Sequence, residues 1–409
     1  MQKLPHAKRR GSAIPLAVLA IMMLFAMGVA LLSLGLNRRV YSIRTNSDIA
    51  ARCAADSGLA IALFEMNQKL QVQPWNDSTL PKATEVSLPY SDAVCDYEVT
   101  GDLGGGYLIT AHGESGPAQR TVRATIELKG LFDNAVLTKA NLIMKSGTLI
   151  DGYNSLDALD TGSDADIATQ STSDSSIILN ASVVANGDVR VGIGGNPETA
   201  VKDLGATIAG FKYAATEKEP LPEIVAPASL FYMGTAIAAK GGTVTIGPPD
   251  NGTYTGIDLQ TAKEPAVLAI SGGDVELHIT GDIELGQSCQ IVVKEGASLT
   301  LYVDGDIHCR ESSGINAESA GKQAETLKLY ATGEDPQFFD IKASSEWVGI
   351  IYAPNADVVL YANGDAYGAV VANNFEFKAG GSYHYDRSLK KVAVDDEGVR
   401  FVVKRWQEE

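Results

Sequence analysis

The segment VELHITGDI (Val275–Ile283) recurs further along the chain as LTLYVDGDI (Leu299–Ile307). In both, apolar residues occupy the first, third and fifth places, and Gly-Asp follows. Alternation with a period of two places the apolar side chains on one face of a strand and the others on the opposite face. Further copies are VVLYANGDA (Val358–Ala366) and ASVVANGDV (Ala181–Val189), and CDYEVTGDL (Cys95–Leu103) is a fifth candidate.

The repeat predicts strands that end in a Gly-Asp turn and stack on one another. Glycine adopts backbone conformations that other residues resist, and aspartate bonds nearby amides, so the strand turns there. Stacked coils of about 20–24 residues share one apolar core, as in a parallel β-solenoid. The register of the first two copies sets Tyr302 beside His278, both outward, and Cys309 over Leu285. It therefore disfavours a disulfide between Cys309 and Cys289. Unrelated hairpins of a β-sandwich are the alternative.

The rest of the chain predicts a mainly β protein with a long helix at its start. We assign a β-solenoid domain to residues 131–390 and a C-terminal tail or last strand to residues 391–409. Within it, ATEKEPLPEIVAPAS (Ala215–Ser229) is rich in Pro and Glu and predicts an extended crossing or a surface loop. Before it, CDYEVTG, GYLITAHG and RTVRATIEL alternate between Gly-rich turns, which predicts a small antiparallel meander within residues 73–130.

The stretch from Gly11 to Leu36 holds no charged side chain. As a helix, the roughly 24 residues from Ala13 would reach about 36 Å, enough to cross a bilayer core of about 30 Å. A secretory apolar region is shorter, about 7–15 residues. We therefore predict a basic leader over residues 1–11 and a retained transmembrane segment over residues 12–36. Beyond Asn37 an amphipathic period of about 3.5 predicts that the helix continues over residues 37–72. Two helices with a break near Asn37 are the alternative.

The charge of the chain excludes some partners. The net charge is -17, and since the first ten residues carry four basic side chains and no acid, the remainder holds 29 basic against 50 acidic residues, or -21. Such a body repels phosphate backbones, so nucleic acid is not an expected partner.

The cysteines do not form a recognisable site. They are too few and too scattered for a disulfide scaffold or a zinc site, although one structural disulfide stays open for an exported body. The four are Cys53, Cys95, Cys289 and Cys309.

Carboxylates are the strongest candidates for chemistry, and we interpret them as structural. Parallel β-helices include carbohydrate-cleaving enzymes, and paired carboxylates for that chemistry lie about 5–10 Å apart. We expect each turn aspartate to cap its own turn, His384 and Asp386 of SYHYD to form a structural pair, and the acidic DALDTGSDAD (Asp157–Asp166) to be a solvated loop. No nucleophile motif, phosphate loop or metal-ligand spacing is present in the sequence, so we predict no catalytic residue, cofactor or metal, and no enzyme. The repeated turn aspartates are Asp188, Asp282, Asp306 and Asp365.

Two regions resemble a known family. The leader and apolar helix, followed by CAADSGLAIALFEM in the polar half of the helix, resemble the N-terminus of PilX-like type IV pilus assembly proteins. They are more loosely similar to tip minor pseudopilins of type II secretion. The segment from Gly349 to Leu389 resembles the C-terminal β-solenoid domain joined to such N-termini, a domain of poorly understood role. In this family a prepilin peptidase cuts after the leader glycine, which implies cleavage between Gly11 and Ser12. Leu16 stands where pilin subunits usually carry Glu, a departure shared by tip pseudopilins.

The resemblance implies a minor pilin-like component or assembly factor of a type IV pilus or type II secretion-like apparatus. Its expected partners are other pilin-like subunits through the N-terminal helix, the cytoplasmic membrane, the prepilin peptidase and a surface ligand of unknown kind. The N-terminus would be cytoplasmic, and the body would be exported as a structural or adhesive head. A permanently anchored surface protein outside any filament and a carbohydrate-active β-helix enzyme are the alternatives.

Overall fold

A computed structural model describes residues 13–72, 74–160, 162–318, 321–343, 346–362, 364–378, 381–394 and 396–408. The part of the chain that it describes is mainly β and divides into two compact units. The first unit is Met1–Glu127 with Phe401–Glu409, and the second is Leu128–Arg400.

The first unit begins with one long helix, α1 (Ala13–Lys69). It runs through Asn37 without interruption, so the prediction of a continuous helix is confirmed and the alternative of a break there is wrong. Proline beyond the last turn cannot continue a helix, and Pro74 follows shortly after Lys69.

Four strands follow the helix and form an antiparallel sheet with neighbours in sequence order. They are β1 (Lys82–Ser87), β2 (Val94–Asp102), β3 (Gly106–Ser115) and β4 (Ala118–Lys129). The last three are the predicted meander, paired antiparallel in register. The fifth candidate copy of the repeat, Cys95–Leu103, therefore belongs to a hairpin and is unrelated to the parallel strands of the second unit.

Small residues allow the helix to approach this sheet closely. Ala51, Ala54, Ala55 and Gly58 are buried at the sheet-facing side of α1. A Cβ on Gly113 of β3 would overlap the backbone of Ala51 and Ala55. The CAADSG segment is thus explained by packing, because larger side chains would hold the helix away from the strands.

In its described residues the second unit contains strands, most of them short, and one short α-helix. They are β5 (Val136–Thr138), β6 (Leu142–Met144), β7 (Leu149–Tyr153), β8 (Ile167–Thr169), β9 (Ile177–Leu179), β10 (Val184–Ala185), β11 (Val189–Val191), α2 (Pro197–Ala200), β12 (Val201–Asp203), β13 (Thr207–Ile208), β14 (Lys212–Ala214), β15 (Ile237–Lys240), β16 (Gly242–Ile246), β17 (Gly252–Tyr254), β18 (Ile257–Gln260), β19 (Ala266–Ile270), β20 (Asp274–Ile279), β21 (Ile283–Leu285), β22 (Gln290–Val293), β23 (Ser298–Val303), β24 (Ile307–Cys309), β25 (Gly314–Ala317), β26 (Leu327–Ala331), β27 (Gln337–Ala343), β28 (Trp347–Ala362), β29 (Ala366–Phe377) and β30 (Tyr383–Asp386).

These strands form ladders in which each strand pairs in parallel with the next. The first ladder has the order β14-β11-β8-β5-β29-β28-β26-β23-β20-β17. The second has the order β12-β9-β6-β29-β28-β27-β24-β21-β18-β15. The third has the order β13-β10-β7-β30-β29-β28. A separate sheet has the order β16-β19-β22-β25.

The predicted register is correct at the two clearest copies. Val275 pairs with Leu299, and His278 pairs with Tyr302. Cys309 pairs with Leu285, which confirms that Cys309 and Cys289 are out of register. The inward side chains of successive strands join one apolar core.

The order of the ladders shows that the chain starts in the middle. From β5 it proceeds outward to β14, at one end of the first ladder, and from β17, at the other end, it proceeds back to β28 and β29. The segment between Ala214 and Ile237 must therefore cross the whole ladder. Ten described strands about 4.8 Å apart span about 43 Å, which roughly 22 extended residues reach easily at about 3.3 Å each. Of the two alternatives predicted for Ala215–Ser229, an extended crossing or a surface loop, the crossing is thus confirmed.

The outer face of the first ladder is covered in its middle. Tyr302, Tyr330 and Tyr352 occupy one outward row but are at most 3% exposed. The Tyr352 hydroxyl donates to the Pro222 carbonyl of the crossing at 2.6 Å, and Tyr302 donates to Glu397 at 3.4 Å. Tyr302 is outward as predicted, but it is buried and contacts Glu397 from a later segment of the chain.

The last strand, β31 (Arg400–Glu408), returns to the first unit and lies next to β4. The second unit is therefore inserted, in sequence, between two neighbouring strands of the first. Asn67 of α1 holds the returning strand, because its Oδ1 accepts from the Phe401 amide at 2.8 Å and its Nδ2 donates to the Phe401 carbonyl at 3.2 Å.

Candidate functional site

The first half of α1 presents a continuous exposed apolar surface. The large apolar side chains from Ile14 to Leu36 are 48–78% exposed. The helix is long and apolar enough to cross a membrane. Leu16 lies within it, whereas the predicted processing residues Gly11 and Ser12 lie outside the described residues.

The turn aspartates connect neighbouring strands of the ladders. Asp282 Oδ1 accepts from the Asp306 amide at 2.8 Å, and Asp306 Oδ1 accepts from the Phe338 amide at 2.7 Å. Asp188 and Asp365 accept in the same way from the Phe211 and Ser382 amides. The expectation that each caps its own turn is wrong, since each bonds the turn of the next strand. One carboxylate oxygen of each is thereby committed to structure.

The glycines before Asp188, Asp282 and Asp306 are required by close approach. A Cβ on Gly305 would lie 2.5 Å from the Gly281 carbonyl oxygen, and one on Gly281 would lie 2.5 Å from the Thr255 carbonyl oxygen. Gly187, Gly281 and Gly305 are not among the described residues with positive φ. The reason for these glycines is therefore the contact between stacked turns rather than an unusual backbone conformation.

The Gly-Asp turn occurs at three different transitions between ladders. At Asp282 and Asp306 it joins the first ladder to the second, and at Asp188 it joins the third to the first. At Asp365 it joins the second to the third. Only the copies that contain Asp282 and Asp306 therefore turn at the same transition.

His384 of SYHYD lies in a polar cluster, but its partner differs from the predicted one. Its Nδ1 contacts Asp151 and its Nε2 lies 3.6 Å from Asp365 Oδ2, while Tyr367 stacks on the ring at 4.7 Å. Burial lowers the pKa of His384, but the hydrogen bond and charge of Asp151, with the charge of Asp365, outweigh it and raise the pKa above its usual value. The expected pairing of His384 with Asp386 is therefore wrong.

Asp386 has a separate structural role. It is fully buried, and its carboxylate accepts from the amides of Ser155 and Ser388, both at 3.1 Å. It also accepts from the Ser388 hydroxyl at 2.7 Å. These bonds begin the short helical turn at Arg387–Lys390 and hold the loop after β7.

The acidic loop Asp157–Asp166 is tied down at Asp160. Its carboxylate accepts from Asn154 Nδ2 at 3.0 Å, from the Gly162 amide at 3.1 Å and from Arg387 Nη1 at 2.7 Å. The hydrogen bond from Asn154, followed by that from Gly162, lowers the pKa of Asp160. Over the described residues no group of three or more His, Cys, Asp or Glu side chains is placed to hold a metal ion.

The structure also brings together two polar residues, His278 and Asp304, that the sequence analysis did not single out. His278 Nε2 lies 2.9 Å from Asp304 Oδ2, and Asp304 Oδ1 accepts from the Thr332 hydroxyl at 2.6 Å. His278 and Asp304 belong to successive copies of the repeat, so the register of those copies could have indicated their proximity.

All four cysteines are free. Cys95, Cys289 and Cys309 are buried and Cys53 is exposed. Burial raises the pKa of Cys309 to about 12, so its thiol is unreactive at neutral pH. The disulfide that stayed open in the sequence is not formed.

One family model matches part of the second unit. Residues 229–392 match a family model described as a domain of unknown function (DUF7305). No curated protein matches the chain. The crystal structure of the competence-associated pilin ComZ from Thermus thermophilus aligns with 89% of this chain and 97% of that chain, at 10% identity and a TM-score of 0.25. A likeness at that level does not define a shared fold, so the function proposed for this chain is drawn from its own residues.

Proposed function

We propose that this chain is a pilin-like minor component or assembly factor, of the PilX-like kind, in a type IV pilus-related or type II secretion-like apparatus. One observation carries the proposal: α1 is uncharged and exposed all round from Ile14 to Leu36, and then packs on a sheet through Ala51, Ala54 and Gly58. A helix that is apolar on every side needs lipid or other apolar helices around it.

The two halves of α1 have separate roles in this proposal. Before assembly, the segment from Ile14 to Leu36 anchors the protein in the cytoplasmic membrane with a cytoplasmic N-terminus. In a filament the same surface packs against the helices of other pilin-like subunits. The sheet-bound half carries the exported body, whose acidity suits an exterior location.

The second unit would form the displayed head. We propose that its three ladders are the faces of one parallel β-solenoid, because Gly-Asp turns lead from each ladder to another and the inward side chains share a core. The head would act as a structural or adhesive element rather than as an enzyme. In support, the turn aspartates use a carboxylate oxygen to accept a hydrogen bond from an adjacent strand, as Asp306 does from the Phe338 amide.

Mass spectrometry of the mature N-terminus tests the processing step. Cleavage by a prepilin peptidase would leave Ser12 as the first residue, with or without methylation, and a Gly11→Asp variant should remain uncut. Co-purification of the wild-type chain, but not of the variant, with sheared filaments would support incorporation. An intact Met1 together with absence from filaments would overturn the proposal in favour of a permanently anchored surface protein.

The enzyme alternative has its own test. Release of reducing sugar or an unsaturated product from polysaccharides, lost in both Asp306→Ala and Asp365→Ala, would contradict a non-catalytic head. Folding of each variant must be checked, since both changes remove an inter-strand hydrogen bond.

A further inference from the structure

A cavity of about 380 Å³ lies in the second unit beside the start of the crossing. Apolar side chains at its wall are Leu137 and Ile193, and basic side chains are Lys139, Arg190 and Lys218. A volume of this size is within the range of small-molecule sites, and the wall combines these apolar side chains with several polar and charged ones.

Arg190 is held in one orientation at this wall. Its Nη2 donates to Glu219 Oε2 at 2.6 Å and to Asn134 Oδ1 at 3.4 Å. Glu219 is only 8% exposed, and Gln170 Nε2 donates to its backbone carbonyl at 2.6 Å. In the described part of the chain, Arg190 makes these bonds through Nη2 alone, so its remaining N–H groups are available as donors.

The charges at the cavity favour an anion. Three basic side chains line it against two carboxylates, Glu217 and Glu219, and Arg190 already pairs with Glu219. The Nζ of Lys139 donates a hydrogen bond to Asn355 Oδ1 at 2.9 Å, which restricts the position of the side chain. In a chain of net charge -17 such an excess of basic groups at one cavity is a local exception. A pre-oriented guanidinium suits a carboxylate, because its remaining N–H groups can donate charge-assisted hydrogen bonds to it.

We propose that this cavity binds the carboxylate of a small ligand with an apolar body, as found in a free N-acyl amino acid or at the C-terminus of a peptide. The carboxylate would be bound by Arg190, Lys139 and Lys218, and the apolar body would contact Leu137 and Ile193. The proposal does not depend on whether the chain enters a filament.

Calorimetric titration of the full chain in detergent tests it. The probes are N-acetylleucine, N-acetylleucinamide and a short peptide ending in leucine with a free carboxylate. We expect the acid to bind with a Kd of about 1 mM or tighter and the amide to bind at least about tenfold more weakly. Tighter binding of the peptide than of N-acetylleucine would identify a chain end as the source, and the reverse would identify a free acid.

Variants separate the site from general charge effects. Lys139→Ala with Lys218→Ala should weaken binding of the acid about tenfold, and Glu217→Gln should strengthen it. The control, Lys202→Ala with Lys212→Ala, removes the same charge outside the cavity and should leave the Kd unchanged. Equal binding of acid and amide, an unchanged Kd in the Lys139/Lys218 variant, or no binding at about 10 mM would each overturn the proposal.

Discussion

His384 and Asp151 are hydrogen-bonded neighbours in the parallel strands β30 and β7, although 233 residues separate them along the chain. The contact joins a strand near the end of the second unit to one near its start. Because the chain begins in the middle of the ladders and ends there, the final strands β29 and β30 pair with β5, β6 and β7. The second unit is therefore held together in part by pairing between its last and its first strands.

The stability of this pairing between late and early strands should depend on pH through His384. Burial lowers the pKa of His384, but Asp151 and Asp365 raise it overall, above the value of about 6.5 in an unfolded chain. The protonated form thus favours the folded state. The contribution is complete below about pH 6.5 and is lost as the pH rises through the folded pKa. Urea unfolding of the full chain in detergent, from about pH 5.5 to 8.5, measures it.

The matched variant for this pH dependence is His384→Gln, which can still donate to Asp151 but does not titrate. It should lower the free energy of unfolding by about 1–2 kcal/mol below pH 6.5 and flatten the slope above it. Parallel slopes in the variant and the wild type would show that other groups cause the pH dependence.

Gly113→Ala should disrupt the packing of α1 on the sheet of the first unit. The new Cβ would overlap the backbone at Ala51 and Ala55, neither of which can move aside as a flexible side chain could. We expect a loss of about 2 kcal/mol or more and faster amide exchange in β3, read by hydrogen exchange with mass spectrometry. In the control Gly104→Ala, the nearest atom is Asp102 Oδ1 at 3.4 Å, so exchange in β3 should not change.

Asp306→Ala should loosen one junction between strands of the second ladder. The Phe338 amide would lose its acceptor at 2.7 Å, with a cost of about 1 kcal/mol. Asp306→Asn keeps an oxygen at the same place and should remain within about 0.5 kcal/mol of the wild type. Thermal unfolding of the two variants side by side measures the difference, and equal effects would indicate that the charge, not the hydrogen bond, matters.

Asn67→Ala should release the returning strand β31 from α1. The side chain satisfies both the amide and the carbonyl of Phe401, so its removal leaves two backbone groups without that partner. We expect the protection of β31 amides against exchange to fall by about tenfold or more. Asn67→Asp keeps the acceptor and loses the donor, so its effect should be intermediate. Unchanged protection in Asn67→Ala would mean that pairing with β4 alone holds the strand.

The local patterns were readable because they depend on neighbouring residues. Alternation in Val275–Ile283 and Leu299–Ile307 predicted parallel strands in successive coils, and the pairs His278–Tyr302 and Leu285–Cys309 confirm the register. The unbroken apolar run to Leu36 likewise predicted the long helix. In each case the spacing of apolar residues along the chain indicates the type of secondary structure and the face that they occupy.

The partners of SYHYD and of the turn aspartates could not be read in that way. His384 bonds Asp151 rather than Asp386, because the strand beside β30 comes from the start of the unit. The turn aspartates reach the next strand rather than their own turn, which depends on how closely two turns stack. The cavity that we propose binds a ligand carboxylate depends on the crossing segment, which brings Glu219 to Arg190.

The sequence by itself determined the helix, the strand periodicity and the Gly-Asp turns, since those follow from side-chain spacing and backbone preference. Only the tertiary structure decided the order of the ladders, the burial of Tyr302 and the return of Phe401 to Asn67. The physical reason is that apolar strand faces of similar chemistry can pair with many partners. The choice among them is made by the collective fit of the whole core and by the length of chain available to connect them.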